Sequence, residues 1–213
     1  LDRETGEFLH YTTDLENPNS LSKNEVTAIV EDSRGELWFG TYGGGLNLFD
    51  REKNAFIRFP HGAKDPFGFL HPSITQLFED NSGNLWIATL RGLFRMDRKN
   101  RRFVNYRYDF SNPKSVYHLY GKGICQDRSG RVWAASGICL YLYDQKKNEL
   151  IRIDRPDFVD FYLYGLFADD HGYLWIMTDN RLIRWNPESD STTTYKFSDG
   201  INCLPFVWRG GIY

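Results

Sequence analysis

Residues 26–50 read VTAIVEDSRGELWFGTYGGGLNLFD, and the phrase inside them, DSRGELW from Asp32, returns three more times along the chain. The later copies are DNSGNLW from Asp80, DRSGRVW from Asp127 and DDHGYLW from Asp169. Each is Asp, two variable residues, Gly, one further residue, Leu or Val, and Trp. The closing tryptophans, Trp38, Trp86, Trp133 and Trp175, lie 48, 47 and 42 residues apart. Self-similarity at a period in the forties indicates blades or solenoid units, so the repeat must be read before any single residue.

Alternation on either side of the tryptophan resolves each copy into strands. The runs VTAIVED, ITQLFED, GKGICQD and LYGLFAD carry an aliphatic residue three before the aspartate: Ile29, Leu77, Ile124 and Leu166. That pattern predicts a first strand. The pairs Asp32 and Gly35, Asp80 and Gly83, Asp127 and Gly130, and Asp169 and Gly172 supply a tight turn. The carboxylate can accept bonds from following amides, and glycine accepts the positive φ of such a turn. A second strand follows as LWFGT, LWIAT, VWAAS and LWIMT, a third as GLNLFD, GLFRMD, CLYLYD and RLIRWN, and a fourth from Phe56, Phe103, Leu150 and Thr192. Four short antiparallel strands per unit predict an all-β fold, a β-propeller of four-stranded blades. The tryptophans are expected to fill the gaps between neighbouring blades, and the recurrent aspartates and glycines to be turn residues.

The links repeat as well. Asn17-Pro18, Asp65-Pro66 and Asn112-Pro113 each follow the aromatic that ends a fourth strand (Tyr11, Phe59, Tyr106), whereas the link after Ile153 lacks the element and is five residues shorter.

Composition narrows the function classes. With 213 residues, 41% hydrophobic and 16% aromatic, the chain can bury a substantial core. A formal charge of -2 with scattered Lys and Arg argues against nucleic-acid binding through a basic face. No apolar run reaches transmembrane length and LDRETGEF is not a signal peptide, so any membrane attachment would lie in other segments. Cys125, Cys139 and Cys203 form no metal spacing, the five histidines make no HExxH pattern, and the three thiols read as buried small hydrophobes; neither metal nor cofactor is expected.

Read from Asn17, NPNSLSKNEVTAIVEDSRGELWFGTYGGGLNLFD closely resembles the two-component regulator propeller repeat, found in sensor regions of bacterial hybrid two-component systems. The later copies keep the DxxG, the tryptophan and the GL-like third strand. The register divides the chain into 1–16 as the end of a preceding blade, blades at 17–59, 60–106, 107–153 and 154–197, and 198–213 as the start of another. This predicts a partial arc of a larger propeller, the alternative being a small ring in which the two ends complete one blade.

Function is sought by subtracting the scaffold. A carboxylate present in every unit cannot be a unique catalyst, and the other acids, among them Glu16, Asp65, Asp109, Asp157, Asp160 and Asp179, show no acid–base pairing, so no catalytic residue is expected in this chain. In propellers the loop between strands two and three shares a face with the link from strand four. The non-repeating residues there are Tyr42, Arg91, Asp179, Asn180 and Arg181 in the loops and His71, Tyr117, His118 and Tyr162 in the links. Aromatic rings stack on sugars, while Arg and Asn bind hydroxyls or carboxylates. Tyr42 and Arg91, in equivalent loops of adjacent units, are the leading candidates. The resemblance implies a periplasmic domain that senses an oligosaccharide from glycan breakdown, works as a homodimer and drives a histidine kinase elsewhere in the protein to regulate transcription. A scaffold propeller for a protein partner, and a propeller glycosidase or lyase, are the rival readings.

Overall fold

The computed structural model describes residues 4–59, 71–106, 121–158 and 162–200. Among these residues, sixteen strands form four separate antiparallel sheets of four. The first blade contains β1 (Val26–Glu31), β2 (Leu37–Thr41), β3 (Gly45–Asp50) and β4 (Ala55–Arg58). The second contains β5 (Ile74–Glu79), β6 (Leu85–Thr89), β7 (Gly92–Asp97) and β8 (Arg102–Tyr106). In the third lie β9 (Gly121–Gln126), β10 (Val132–Ser136), β11 (Cys139–Asp144) and β12 (Glu149–Ile153), and in the fourth β13 (Leu163–Ala168), β14 (Leu174–Thr178), β15 (Arg181–Trp185) and β16 (Thr192–Lys196). Each sheet is a simple meander in sequence order. Each sheet holds the four strands read from one copy of the repeat. Residues 4–25, which include the stretch expected to finish a preceding blade, contain no strand.

The first strands stand side by side, β1 against β5, β5 against β9 and β9 against β13, so they form the inner layer of the arc. Each carries an irregularity in its pairing near its start, as between Val26 and Ala28 or between Ile74 and Gln76, which sharpens local twist. At the first of these, Thr27 Oγ1 donates to Gly40 O and across the junction to Ile74 O, at 2.8 Å.

Three apolar layers lie between the four sheets. Trp38, Leu46 and Leu48 meet Ile74, Leu77, Ile87 and Phe94; Trp86, Ala88 and Leu93 meet Ile124, Val132 and Tyr141; Trp133, Ala135 and Leu140 meet Leu163, Leu166, Ile176 and Trp185. Period-two alternation sends Trp86 to the following blade and its neighbour Ile87 to the preceding one. Burying an indole of this size stabilises a junction by about 3 kcal/mol or more. Trp175 departs from the expectation for its three counterparts: it is half-buried and stacks on Tyr195 of its own sheet, ring centroids 6.0 Å apart. On the opposite outer face, Ile29 is 60% exposed although Leu77, Ile124 and Leu166 at the same register are buried.

The rim repeats too. Tyr106 Oη donates to Asn148 Oδ1 of the third blade at 2.6 Å, Asn148 being a turn residue at φ 54°. Tyr11 makes the same bond to Asn54 Oδ1 and packs edge-on against Phe49 and Phe56. Tyr11 therefore sits on the first blade as a strand-four aromatic sits on its successor, which is where the repeat register aligns it. In the shortened link a 3-10 turn, Pro156–Phe158, delivers a buried Phe158 onto Trp185 at 5.4 Å.

Candidate functional site

The two ends of the arc are built differently. At the end bearing the β1–β2 type turns, the repeated aspartate is a structural clamp. Asp32 Oδ1 accepts from the amides of Arg34 and Glu36, while Oδ2 accepts from Trp38 Nε1 at 2.6 Å. Asp80, Asp127 and Asp169 repeat the pattern, with indole bonds from Trp86, Trp133 and Trp175 at 2.8, 2.7 and 2.8 Å. The glycine three residues on adopts φ of 75–85° in all four turns, a conformation that carries a steric penalty for other residues. Cations complete two clamps: Arg98 of the second blade reaches Asp32 Oδ2 at 2.5 Å, and Arg131 reaches Asp127 Oδ2 at 2.6 Å. Burial pushes Asp32 upward, but the bonds from Trp38, Arg98 and the two amides outweigh it and hold the carboxyl below its ordinary 3.8. Asp169 is lowered in the same way by Trp175 and the amides of Tyr173 and His171, against the effect of burial. In all four blades the carboxylate is an acceptor for its own turn and its own indole.

At the other end, each second strand closes on a buried hydroxyl. Thr41, Thr89 and Thr178 donate from Oγ1 to the carbonyls of Gly45, Gly92 and Arg181 at 2.9, 2.9 and 3.0 Å. Ser136 occupies the same place in the third blade and is fully buried. The hydroxyl ties the loop shut and leaves the residues between for the surface.

The loops and links share this face, as backbone bonds demonstrate. Gly45 N donates to Pro72 O at 2.7 Å and Leu90 N to Ser73 O at 3.1 Å. The run His71–Ser73 therefore passes between the loop bearing Tyr42 and the loop bearing Arg91. Tyr42 is 38% exposed, Arg91 is exposed, and its amide bonds to Thr89 Oγ1. Three of the sequence candidates, Tyr42, His71 and Arg91, thus converge on one patch.

His71 is half-buried, and its Nδ1 accepts from Ser73 N at 3.1 Å. That bond requires an unprotonated Nδ1, which makes His71 a turn former as well as a surface group. Asn180 and Arg181 lie on the fourth blade, beyond the third, and bond to each other from Nε to Oδ1 at 3.0 Å. Asp179 and Tyr162 are exposed on that blade. Tyr117, His118, Asp65-Pro66 and Asn112-Pro113 fall outside the described residues.

Cys125 and Cys139 are buried and unpaired, and burial raises both thiols above their ordinary value; Cys203 is outside the described residues. Among the described residues, no helix is long and apolar enough to cross a membrane.

Comparison with known proteins agrees with this geometry. Residues 20–43 and 68–91 match the family described as two component regulator propeller. No curated protein matches the chain. Among solved structures, the extracellular domain of a hybrid two component system from B. thetaiotaomicron superimposes with a TM-score of 0.68 at 23% identity, covering 85% of this chain and 24% of that one. A second such domain from the same organism gives 0.64 at 19% identity, covering 89% and 33%. Virginiamycin B lyase from Staphylococcus aureus gives 0.61 at 16% identity, covering 81% and 55%. The chain thus spans 24% and 33% of the length of the two sensor domains and just over half that of the lyase. These likenesses establish the β-propeller fold, and two stretches of the chain, in its first and second blades, match the two component regulator propeller model.

Proposed function

We propose that this chain is the extracytoplasmic ligand-sensing part of a hybrid two-component sensor histidine kinase, and that it recognises an oligosaccharide released in glycan breakdown. The observation that carries the reading is the patch around His71–Ser73, where the loops of the first two blades present Tyr42 and Arg91 on either side of one stretch of backbone. A tyrosine ring offers a stacking face for a sugar, and a guanidinium beside it bonds hydroxyls or a sugar carboxylate. The likeness to extracellular domains of hybrid two component systems supports the sensor role. Commitment of the repeated carboxylates to indoles and turn amides weighs against a hydrolase or lyase on this scaffold.

In this reading the protein works as a homodimer in the periplasm, with the kinase elsewhere in the polypeptide, and ligand shifts the pair of propellers between two arrangements. Such a shift requires that the sugar bind one arrangement more tightly, since equal affinity moves no equilibrium. The exposed Ile29 face and the half-exposed Trp175 face serve as seats for further blades of a larger ring.

Calorimetric titration against a panel of oligosaccharides tests the proposal. Saturable heat with a glycan, weakened roughly tenfold or more in both Tyr42→Ala and Arg91→Ala, is the expected result. Loss of one good stacking or charge-assisted contact is on that scale. No heat with any glycan, beside a stable protein complex, would replace the sensor with a scaffold propeller. Turnover of the sugar would replace it with an enzyme.

A further inference from the structure

The three blade junctions are sealed differently at the end where the Asp–Trp clamps lie. In the first two clamp turns, the N–H of the residue after the aspartate bonds to the last residue of the next blade's first strand. Between the first and second blades, Ser33 N and Oγ both donate to the Glu79 carboxylate, at 2.6 and 3.0 Å. Between the second and third, Asn81 N donates to Gln126 Oε1 at 2.7 Å. Glu79, Gln126 and Ala168 hold the same register position, opposite Leu85, Val132 and Leu174 respectively. Between the third and fourth blades the bridge is shifted by one residue: Ser129 Oγ donates to Glu188 Oε1 at 2.9 Å, while Ala168 supplies only a methyl group and the Arg128 N–H meets no acceptor among the described residues.

A groove of about 510 Å³ opens at this junction, lined by Gln126, Asp127, Arg128, Ala168, Asp169 and Asp170. Its chemistry is specific. Asp127 is saturated by Trp133, Arg131 and two turn amides, and Asp169 accepts from Trp175 and two more amides. The lining residues left with exposed charge are Arg128, whose N–H also lacks an acceptor among the described residues, and Asp170. The sealed junctions demonstrate what the turn accepts, a carboxylate or a carboxamide oxygen. A guanidinium at the same residue favours the carboxylate.

We propose that the groove between the turns of the third and fourth blades is a second binding site, for a small molecule whose carboxylate is bordered by hydrogen-bond donors. The carboxylate takes the place that Glu79 holds at the first junction, bonded to the Arg128 N–H and guanidinium. The neighbouring donors bond to Asp170. Sugar acids, whose donors are hydroxyls, and free amino acids, whose donor is an ammonium, both present this pattern. The site lies at the opposite end of the blades from Tyr42 and Arg91 and does not depend on their role.

Amide-detected NMR of the protein tests it. Titration with sodium galacturonate, sodium glutamate and uncharged galactose should give a saturable shift of the Arg128 amide with one or both acids and none with galactose. Galacturonate alone would mark a sugar-acid site and glutamate alone an amino-acid site. Arg128→Gln keeps the N–H and removes the charge, so affinity should fall by about tenfold. Ala168→Glu should supply the missing seal and abolish the shift, and Ala168→Gln provides the same seal without added charge. No saturable shift with either acid, or a shift that persists in both Ala168 variants, overturns the proposal.

Discussion

At the scale of single residues, the aspartate of each repeat is the most consequential group. It shapes the turn and satisfies an indole N–H, and in the first three blades it thereby fixes the ring that the next blade packs against. Asp80→Ala strands the Trp86 N–H in a fully buried position and releases the amides of Ser82 and Asn84. The expected loss is about 2–3 kcal/mol, because an unsatisfied buried donor carries its full desolvation cost. Asp80→Asn keeps one acceptor oxygen and should lose less. Urea midpoints at constant m-value would measure both, and a loss indistinguishable from zero in the alanine variant would contradict the clamp.

Much of this was legible from sequence, because turn chemistry and period-two alternation act locally. The spacing of Asp, Gly and Trp announces hairpins wherever it occurs. Other repeated features were hidden for a physical reason. Thr41, Thr89 and Thr178 end the second strand visibly, yet their role is a bond to a carbonyl three or four residues on, which no periodicity displays. The turns at Asn54, Arg101, Asn148 and Asp190 take positive φ without glycine. The variable position filled by Glu79, Gln126 and Ala168 matters only across a junction, so its contrast appears once the blades are side by side. Of the proposed ligand residues, Tyr42, His71 and Arg91 come together through backbone bonds of the link, whereas Asn180 and Arg181 belong to a distant blade.

Among elements, the closeness of neighbouring sheets depends on the residue two past each tryptophan. It is Gly40, Ala88 and Ala135 in the first three blades and Met177 in the fourth. Any Cβ added at Gly40 would collide with the Ile74 side chain, and Ala88 and Ala135 lie in the layers toward the following blades. Ala88→Met should therefore destabilise by about 1–3 kcal/mol, the usual cost of overpacking a dense layer. Met177→Ala, on the half-exposed outer face, should cost under about 1 kcal/mol because little packed volume is lost there. Equal losses in the two variants would show that the small residues are incidental to sheet spacing.

For the molecule as a whole, the lowered carboxyls make stability depend on acid. Asp32 and Asp169 hold protons less readily when folded than the ordinary 3.8 of an aspartate, so the unfolded chain binds more protons as pH falls. Their stabilising contribution is complete above the ordinary value and is lost as pH drops through their folded values. Denaturant midpoints should be flat from neutral pH to about pH 5 and decline below pH 4. Asp32→Asn, already weaker at neutral pH, should show a shallower decline; an unchanged acid slope in that variant would assign the effect to other groups.

The clamp has a directional consequence for assembly. Each indole is held by an aspartate six residues earlier in its own hairpin, so it is oriented before the next blade exists. A finished blade is thus a preformed template on its downstream side, and its partner arrives later in the polypeptide. A chain emerging from the ribosome can then set its sheets one after another, each new sheet meeting a rigid surface. Growth by templating in this fashion would restrict exposed apolar surface to about one sheet face at the advancing end, however many repeats follow.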